Sequence, residues 1–310
     1  MFYFLPIIAV AIWSGNAIIN IMASSIIEPG AIAFYRWFFA VLVLTPFCAY
    51  SCWKARHKIR PYLTKLAFLA LLGMVLNQSL GYFAAQTTTA TNMALLTSLV
   101  PLVSMIFSIF LLKQKLTKSA MIGAVLSILG VVLMLSKGDL HSLISHGISV
   151  GDGMILIATT VYALYCVLLK RWDIPLSTWQ LVYMQGFIAL IMLVPMLWYS
   201  EHHVLPQSSI PLVLYAALLG SVVAPWCWMK AVKVLGADKT ATFMNLMPIL
   251  TAIIAFIVLG EELSSYHYAG GLLVLTGVAL AQKRRKNKLS VLTADIDFEM
   301  LALKHKRNVN

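Results

Sequence analysis

Residues 91–135, TNMALLTSLVPLVSMIFSIFLLKQKLTKSAMIGAVLSILGVVLML, return in altered form 147 positions later as residues 238–282, DKTATFMNLMPILTAIIAFIVLGEELSSYHYAGGLLVLTGVALAQ. The correspondence extends upstream without a gap, so that residues 66–135 align with 213–282. Ala70–Gly73 (ALLG) repeats at Ala217–Gly220, Pro101 at Pro248, Leu116 at Leu263, Gly123 at Gly270 and Gly130 at Gly277. These are turn, kink and packing residues, which a shared backbone preserves. Pairing Trp13 with Tyr162 extends the repeat more weakly towards the N-terminus.

Each copy is built from long apolar blocks. Of 310 residues, 61% are hydrophobic and 11% charged, against roughly 25% charged in a soluble domain. Ten blocks of about 17 to 22 residues are separated by short polar connectors: 3–22, 30–50, 67–86, 91–112, 119–136, 152–169, 178–199, 211–229, 240–259 and 266–282. A helix needs about 20 apolar residues to cross a hydrocarbon core, and lipid offers no partner to an unpaired backbone group, so helices are the expected form. The opening MFYFLPIIAV has no basic leader and no small-residue cleavage site, and reads as the first span.

The net charge of +12 has a topological origin rather than a nucleic-acid partner. Of 23 Lys and Arg, 21 fall on one side of a ten-span chain: after spans 2, 4 and 6, around the end of span 8, and in the tail after span 10. Lys137 lies opposite, and Arg36 lies within a span. By the positive-inside rule both termini are cytoplasmic. Cys48, Cys52, Cys166 and Cys227 lie in spans or at cytoplasmic ends, where thiols remain reduced and pack as small apolar groups.

Five spans per copy is an odd number, so the second copy enters the membrane inverted. The connector after span 4, Lys113–Lys115, is basic, while its counterpart Gly260–Glu262 is acidic. The expected fold class is therefore all-α integral membrane, with ten transmembrane helices as two inverted five-helix repeats, residues 1–136 and 152–282, and a basic cytoplasmic tail, 283–310. Inverted repeats around a midplane site are a recurrent plan of secondary transporters, because exchanging the conformations of two similar halves opens the site to either side. The basic cluster of the tail is expected to rest on anionic headgroups.

Arg36 is the one basic residue well inside a span, about six residues or roughly 9 Å from its outer end, and an intramembrane charge is a functional candidate. It is suited to binding a carboxylate or phosphate, and equally to bracing neighbouring helix ends. Other polar side chains recur on single helix faces: Trp13, Asn16 and Asn20; Gln78, Tyr82 and Gln86; Thr97, Pro101, Ser104 and Ser108; and, in the second half, Tyr162, Tyr165, Trp179, Tyr183, Trp226, Thr242 and Asn245. The expected substrate-binding set is Trp13, Asn16, Arg36, Tyr82, Tyr162, Tyr165, Trp179 and Trp226, whose rings offer stacking and cation–π surfaces. Pro101 and Pro248, at equivalent depths, each remove a backbone donor and are candidate hinges. No metalloprotease helix, phosphate loop or intramembrane acid pair occurs, so no enzyme, cofactor or metal is expected. The 11 Asp and Glu lie in connectors, span ends or the tail.

AFYRWFFA (33–40), the run NQSLGYFAAQTTTATNMALLTSLVPLVSMIFSIFLLKQKLTKSAMIGAVLSILGVVLML (77–135) and its partner WCWMKAVKVLGADKTATFMNLMPILTAIIAFIVLGEELSSYHYAGGLLVLTGVAL (226–280) resemble EamA domains of the drug/metabolite transporter superfamily. The resemblance implies a carrier of the bacterial inner membrane, often an exporter of amino acids or related metabolites, working by alternating access. Its second-span arginine corresponds to Arg36, its prolines to Pro101 and Pro248, and its glutamate after the ninth span to Glu261. Gln114 stands where the first half would carry the matching acid.

The expected partners are thus a small organic solute and membrane lipids. Uptake of a vitamin or nucleobase-like solute is the alternative within this class, and a non-transporting scaffold or sensor the alternative outside it. In a chain freed of native thiols, a cysteine at Gly138 is expected to react with an impermeant maleimide outside intact cells, and one at Ser290 only after lysis. The reverse pattern overturns the orientation.

Overall fold

The computed structural model describes residues 3–113, 118–139, 149–202, 204–235 and 242–282. Among these the helical stretches are α1 (Phe4–Ala23), α2 (Pro29–Lys54), α3 (Arg56–Ala84), α4 (Ala90–Leu112), α5 (Lys118–Leu135), α6 (Val150–Trp172), α7 (Thr178–Trp198), α8 (the consecutive segments Gln207–Ser209, Ile210–Leu214, Tyr215–Val223 and Ala224–Leu235), α9 (Thr242–Leu246 and Met247–Leu259) and α10 (Ser265–Gln282). No strand occurs among the described residues. Seven helices there are long and apolar enough to cross a membrane, and Met121–Leu135 and Met247–Leu259 are shorter apolar helices. Gln114, Lys115, Lys239 and the basic tail lie outside the described residues, as do the side chains of Thr242 and Asn245.

Local chemistry accounts for the boundaries. Ser177 and Gln180 form a reciprocal capping box at the start of α7, and Thr89 and Ser149 accept from the backbone N–H groups of Asn92 and Asp152 at the starts of α4 and α6. Pro29 occupies the first turn of α2, where its missing donor costs nothing. The connector after span 2 differs from a simple loop. Residues 56–66, with four of its five basic side chains, are helical and continuous with α3, because Pro61 lies in the first turn of a short 3-10 segment and no other breaker is present.

Positions 147 apart carry the same backbone irregularities. Lys113 and Gly260 both end their helices in the left-handed conformation, with φ of 54° and 67°. The π-helical turns in α3 (Leu71–Leu76) and α8 (Tyr215–Val223) end at corresponding residues. Helix α4 breaks at residues 98–99 and restarts at Val100, and the second part of α9 starts at Met247, so Pro101 and Pro248 both sit in a first helical turn rather than mid-helix.

The helices pair in a matching way. Helix α5 packs on α10 and α2 on α7, while α1 contacts α8 and α9 as α6 contacts α3 and α4. The α5–α10 contact is made through glycine. A Cβ at Gly130 would lie 2.6 Å from the Gly270 carbonyl oxygen and 2.8 Å from Val274 N; at Gly277 it would lie 2.6 Å from the Gly123 carbonyl oxygen and 2.6 Å from Ser127 N. Ser127 Oγ donates to the Val274 carbonyl at 3.4 Å, again between positions 147 apart. Lipid supplies no hydrophobic drive between helices, so close approach of small residues and hydroxyl-to-carbonyl bonds hold them together. Ser14 and Ser119 add bonds to Met247 O (3.2 Å) and Leu280 O (2.7 Å).

The outer surface is strongly apolar. Phe47, Phe110 and Ile257 are 78%, 76% and 73% exposed, which fits a protein bathed in hydrocarbon rather than water. Gly130→Ala is expected to lower stability in detergent by about 1–3 kcal/mol through overpacking against backbone. Gly153, with open space around its Cβ position, is the control: Gly153→Ala is expected to be neutral or slightly stabilising. Thermal unfolding of the two purified variants checks this.

Candidate functional site

Arg36 lies in α2 and is 5% exposed. Its Nε donates to Ser221 Oγ at 2.8 Å and its Nη1 to the Tyr82 hydroxyl at 3.1 Å. Both partners are neutral, and none of the ion pairs or hydrogen bonds found among the described residues brings a carboxylate to it. Ser221 belongs to the π-helical turn of α8, where i→i+5 spacing widens the helix; its hydroxyl in turn donates to Ala216 O at 3.1 Å. One hydroxyl therefore satisfies the widened turn and holds the guanidinium.

The same turn receives α1. Trp13 Nε1 donates to Gly220 O at 3.3 Å, and Tyr215 donates its hydroxyl to Ile12 O at 3.0 Å. A Cβ at Gly220 would stand 3.1 Å from Asn16 Oδ1 and 3.2 Å from Arg36 Nη2, so glycine is what lets these two groups meet at the helix. Asn16 Nδ2 donates to Asn20 Oδ1 at 3.3 Å, while Asn16 Oδ1 is buried without a protein partner. Trp13 also packs on Trp228, with ring centroids 5.5 Å apart. Trp13, Asn16, Arg36 and Tyr82 thus form one polar group around Gly220 and Ser221.

Tyr162, Tyr165 and Trp179 form a second group. The two tyrosine rings stack at 5.5 Å, and all three side chains join the apolar cluster that contains Leu44, Cys48 and Tyr183. Tyr165 lies against Gly73, whose Cβ would be 2.8 Å from the ring. Gly73 corresponds to Gly220 at an offset of 147, and Tyr165 to Asn16 at the offset of 149 that pairs Trp13 with Tyr162. Trp226 joins neither group: it is 37% exposed, with the Lys230 ammonium 5.0 Å from its ring centroid.

Sequence reasoning passed over Ser221, Gly220 and Gln185. Gln185, on α7, is 1% exposed and its Oε1 has no protein partner. The 149-residue offset pairs it with Arg36, and pairs Trp37 with Gly186, whose Cβ would lie 2.7 Å from the Trp37 ring. The weak N-terminal alignment therefore held the signal for Gln185, but one amide in an apolar helix did not stand out without its burial.

Glu261 has a separate role at one end of the bundle. Its carboxylate accepts from Ala90 N (2.8 Å), Thr91 N (3.2 Å) and Thr91 Oγ1 (2.8 Å), tying the end of α9 to the start of α4. Anionic groups are favoured at a helix N-terminus, where backbone N–H groups are otherwise unpaired. Asp152 likewise accepts from Thr88 Oγ1 and from Asn92 Nδ2, the latter at 3.3 Å. Glu261→Ala is expected to lower stability by about 1–2 kcal/mol, read as thermal unfolding in detergent, with Glu261→Gln intermediate.

The sequence pattern of the EamA-like transporter family matches residues 1–136 and 149–282. Among relatives, an uncharacterized transporter of Bacillus subtilis (YyaM) is 29% identical over 82% of this chain and 84% of its own. One of Archaeoglobus fulgidus is 29% identical over 88% and 94%. An S-adenosylmethionine uptake transporter of Rickettsia prowazekii is 22% identical over 84% of each chain. A solved protein crystal structure, 17% identical, shares the fold with a TM-score of 0.59 over 90% of this chain and 96% of its own. With its apolar helices, lipid-facing surface and family match over most of its length, the chain is a multi-pass membrane protein belonging to the EamA-like transporter family.

Proposed function

We propose that the protein is a secondary carrier of small organic metabolites that bear a carboxylate, such as amino acids, and that it works by alternating access between two inverted five-helix repeats, residues 1–136 and 152–282. The observation that carries this reading is the buried Arg36 guanidinium, bonded to two neutral hydroxyls and facing an unused acceptor on Asn16. A guanidinium is well suited to a carboxylate fork, and the unused amide oxygens of Asn16 and Gln185 suit a donor such as an amino group. Trp13 and Tyr82 flank the same point; Tyr162, Tyr165 and Trp179 form the counterpart wall in the other half.

The matched packing of α1–α5 and α6–α10 supports exchange of roles between the halves. Pro101 and Pro248, beside the interruptions in α4 and α9, are the hinges of this scheme. We place the protein in a bacterial inner membrane with both termini cytoplasmic, on the one-sided distribution of Lys and Arg, and read the direction as export. Uptake is the second reading, favoured by the uptake transporters named among the relatives.

Counterflow in proteoliposomes with labelled amino acids, S-adenosylmethionine and nucleobases tests the proposal. Saturable flux of a carboxylate-bearing solute is expected, and none across the whole panel counts against transport. Arg36→Ala is expected to weaken apparent substrate affinity roughly 10- to 100-fold, the loss that goes with hydrogen bonds to a charged group, while the variant still accumulates in the membrane. Failure to accumulate assigns Arg36 to bracing. Resistance of cells to a toxic analogue separates export, which protects, from uptake, which sensitises.

A further inference from the structure

We infer that the groove between the end of α2, the first turns of α3 and the second and third turns of α7 is a specific binding site for an anionic phospholipid. It encloses about 500 Å³. Its mouth carries Arg56, His57 and Arg60, all exposed, and among the described residues no acidic one lines it. Arg56 is held in place there: Nη1 donates to Trp53 O at 3.1 Å and the guanidinium carbon stands 5.1 Å from the Trp53 ring centroid. A guanidinium so fixed keeps further N–H groups for a phosphate and loses little freedom on binding it.

The wall changes character along the helices. Beyond the basic mouth it is formed by Ala49, Leu63, Met184 and Phe187. Phe187 is nine residues into α7 from Thr178, roughly 13 Å at 1.5 Å per residue. Charged mouth and apolar wall thus follow the order of headgroup and acyl chain, which a soluble phosphate would not use. The cations are also more than an orientation signal: Lys170 and Arg171 belong to the same predicted cytoplasmic set but are not among the residues that line this groove. The inference rests on the membrane assignment and not on the transport reading.

Full-length protein in neutral detergent is titrated with dioleoylphosphatidylglycerol or dioleoylphosphatidylcholine, following bound lipid by native mass spectrometry and the unfolding midpoint, with inorganic phosphate as the soluble probe. The anionic phosphatidylglycerol is expected to bind more tightly and to raise the midpoint, whereas phosphate has no effect. R56Q/R60Q is expected to weaken its binding about fivefold per charge removed, and K170Q/R171Q to leave it within about twofold. Ala49→Trp, which fills the apolar wall at unchanged charge, is expected to weaken it too, and keeps the test open if the double variant is unstable. Equal losses in both charge variants, no preference between the lipids, or equal stabilisation by phosphate would overturn the site. None of these readouts requires transport.

Discussion

Hydrocarbon gives a backbone amide nothing to bond to, and at the π-helical turn of α8 and the start of α4 other parts of the protein supply the missing partners. The π-helical turn of α8 uses the Ser221 hydroxyl for Ala216 O and presents Gly220 O to Trp13. The start of α4, below its own first hydrogen bonds, is completed by Glu261. The candidate substrate site is built from the same material, since the Ser221 hydroxyl that bonds Ala216 O also holds Arg36.

Glycine determines how closely the parts approach. Gly130 and Gly277 let α5 and α10 meet backbone to backbone, Gly186 receives the Trp37 ring between α2 and α7, and Gly220 and Gly73 receive Asn16 and Tyr165 beside the two π turns. The contacts of Gly130 and Gly277, and those of Gly220 and Gly73, form pairs at offsets of 147 and 149. A proposed exchange of conformations between halves needs such equivalence, because both arrangements must pack comparably well for either to be populated.

The asymmetries then carry the chemistry. At the offset of 149, Arg36 corresponds to Gln185, Asn16 to Tyr165 and Trp13 to Tyr162. One half thus supplies a charge and hydrogen-bonding groups, the other an amide and stacked rings. An amphipathic solute between them would meet a polar and an aromatic wall, whichever side the site opens to.

Much of this was legible in the chain. The apolar blocks, the 147-residue repeat and Arg36 could be read directly, because span length, repeated glycines and prolines, and a charge in an apolar run are local properties. How the candidate residues group in space has reasons that are not local. Trp226 and Trp13 look alike in sequence, but the rotation of α8 turns Trp226 outward under Lys230 while Trp228 meets Trp13. Gln185 and Ser221 are ordinary residues until burial and a widened helical turn give them partners or deny them. The sequence by itself determined that the chain is all-helical and apolar enough to enter lipid several times, since that depends on composition over some 20 residues. Only the tertiary structure decided which polar side chains converge, because that depends on helix rotation and on backbone approach through single glycines, neither of which composition fixes.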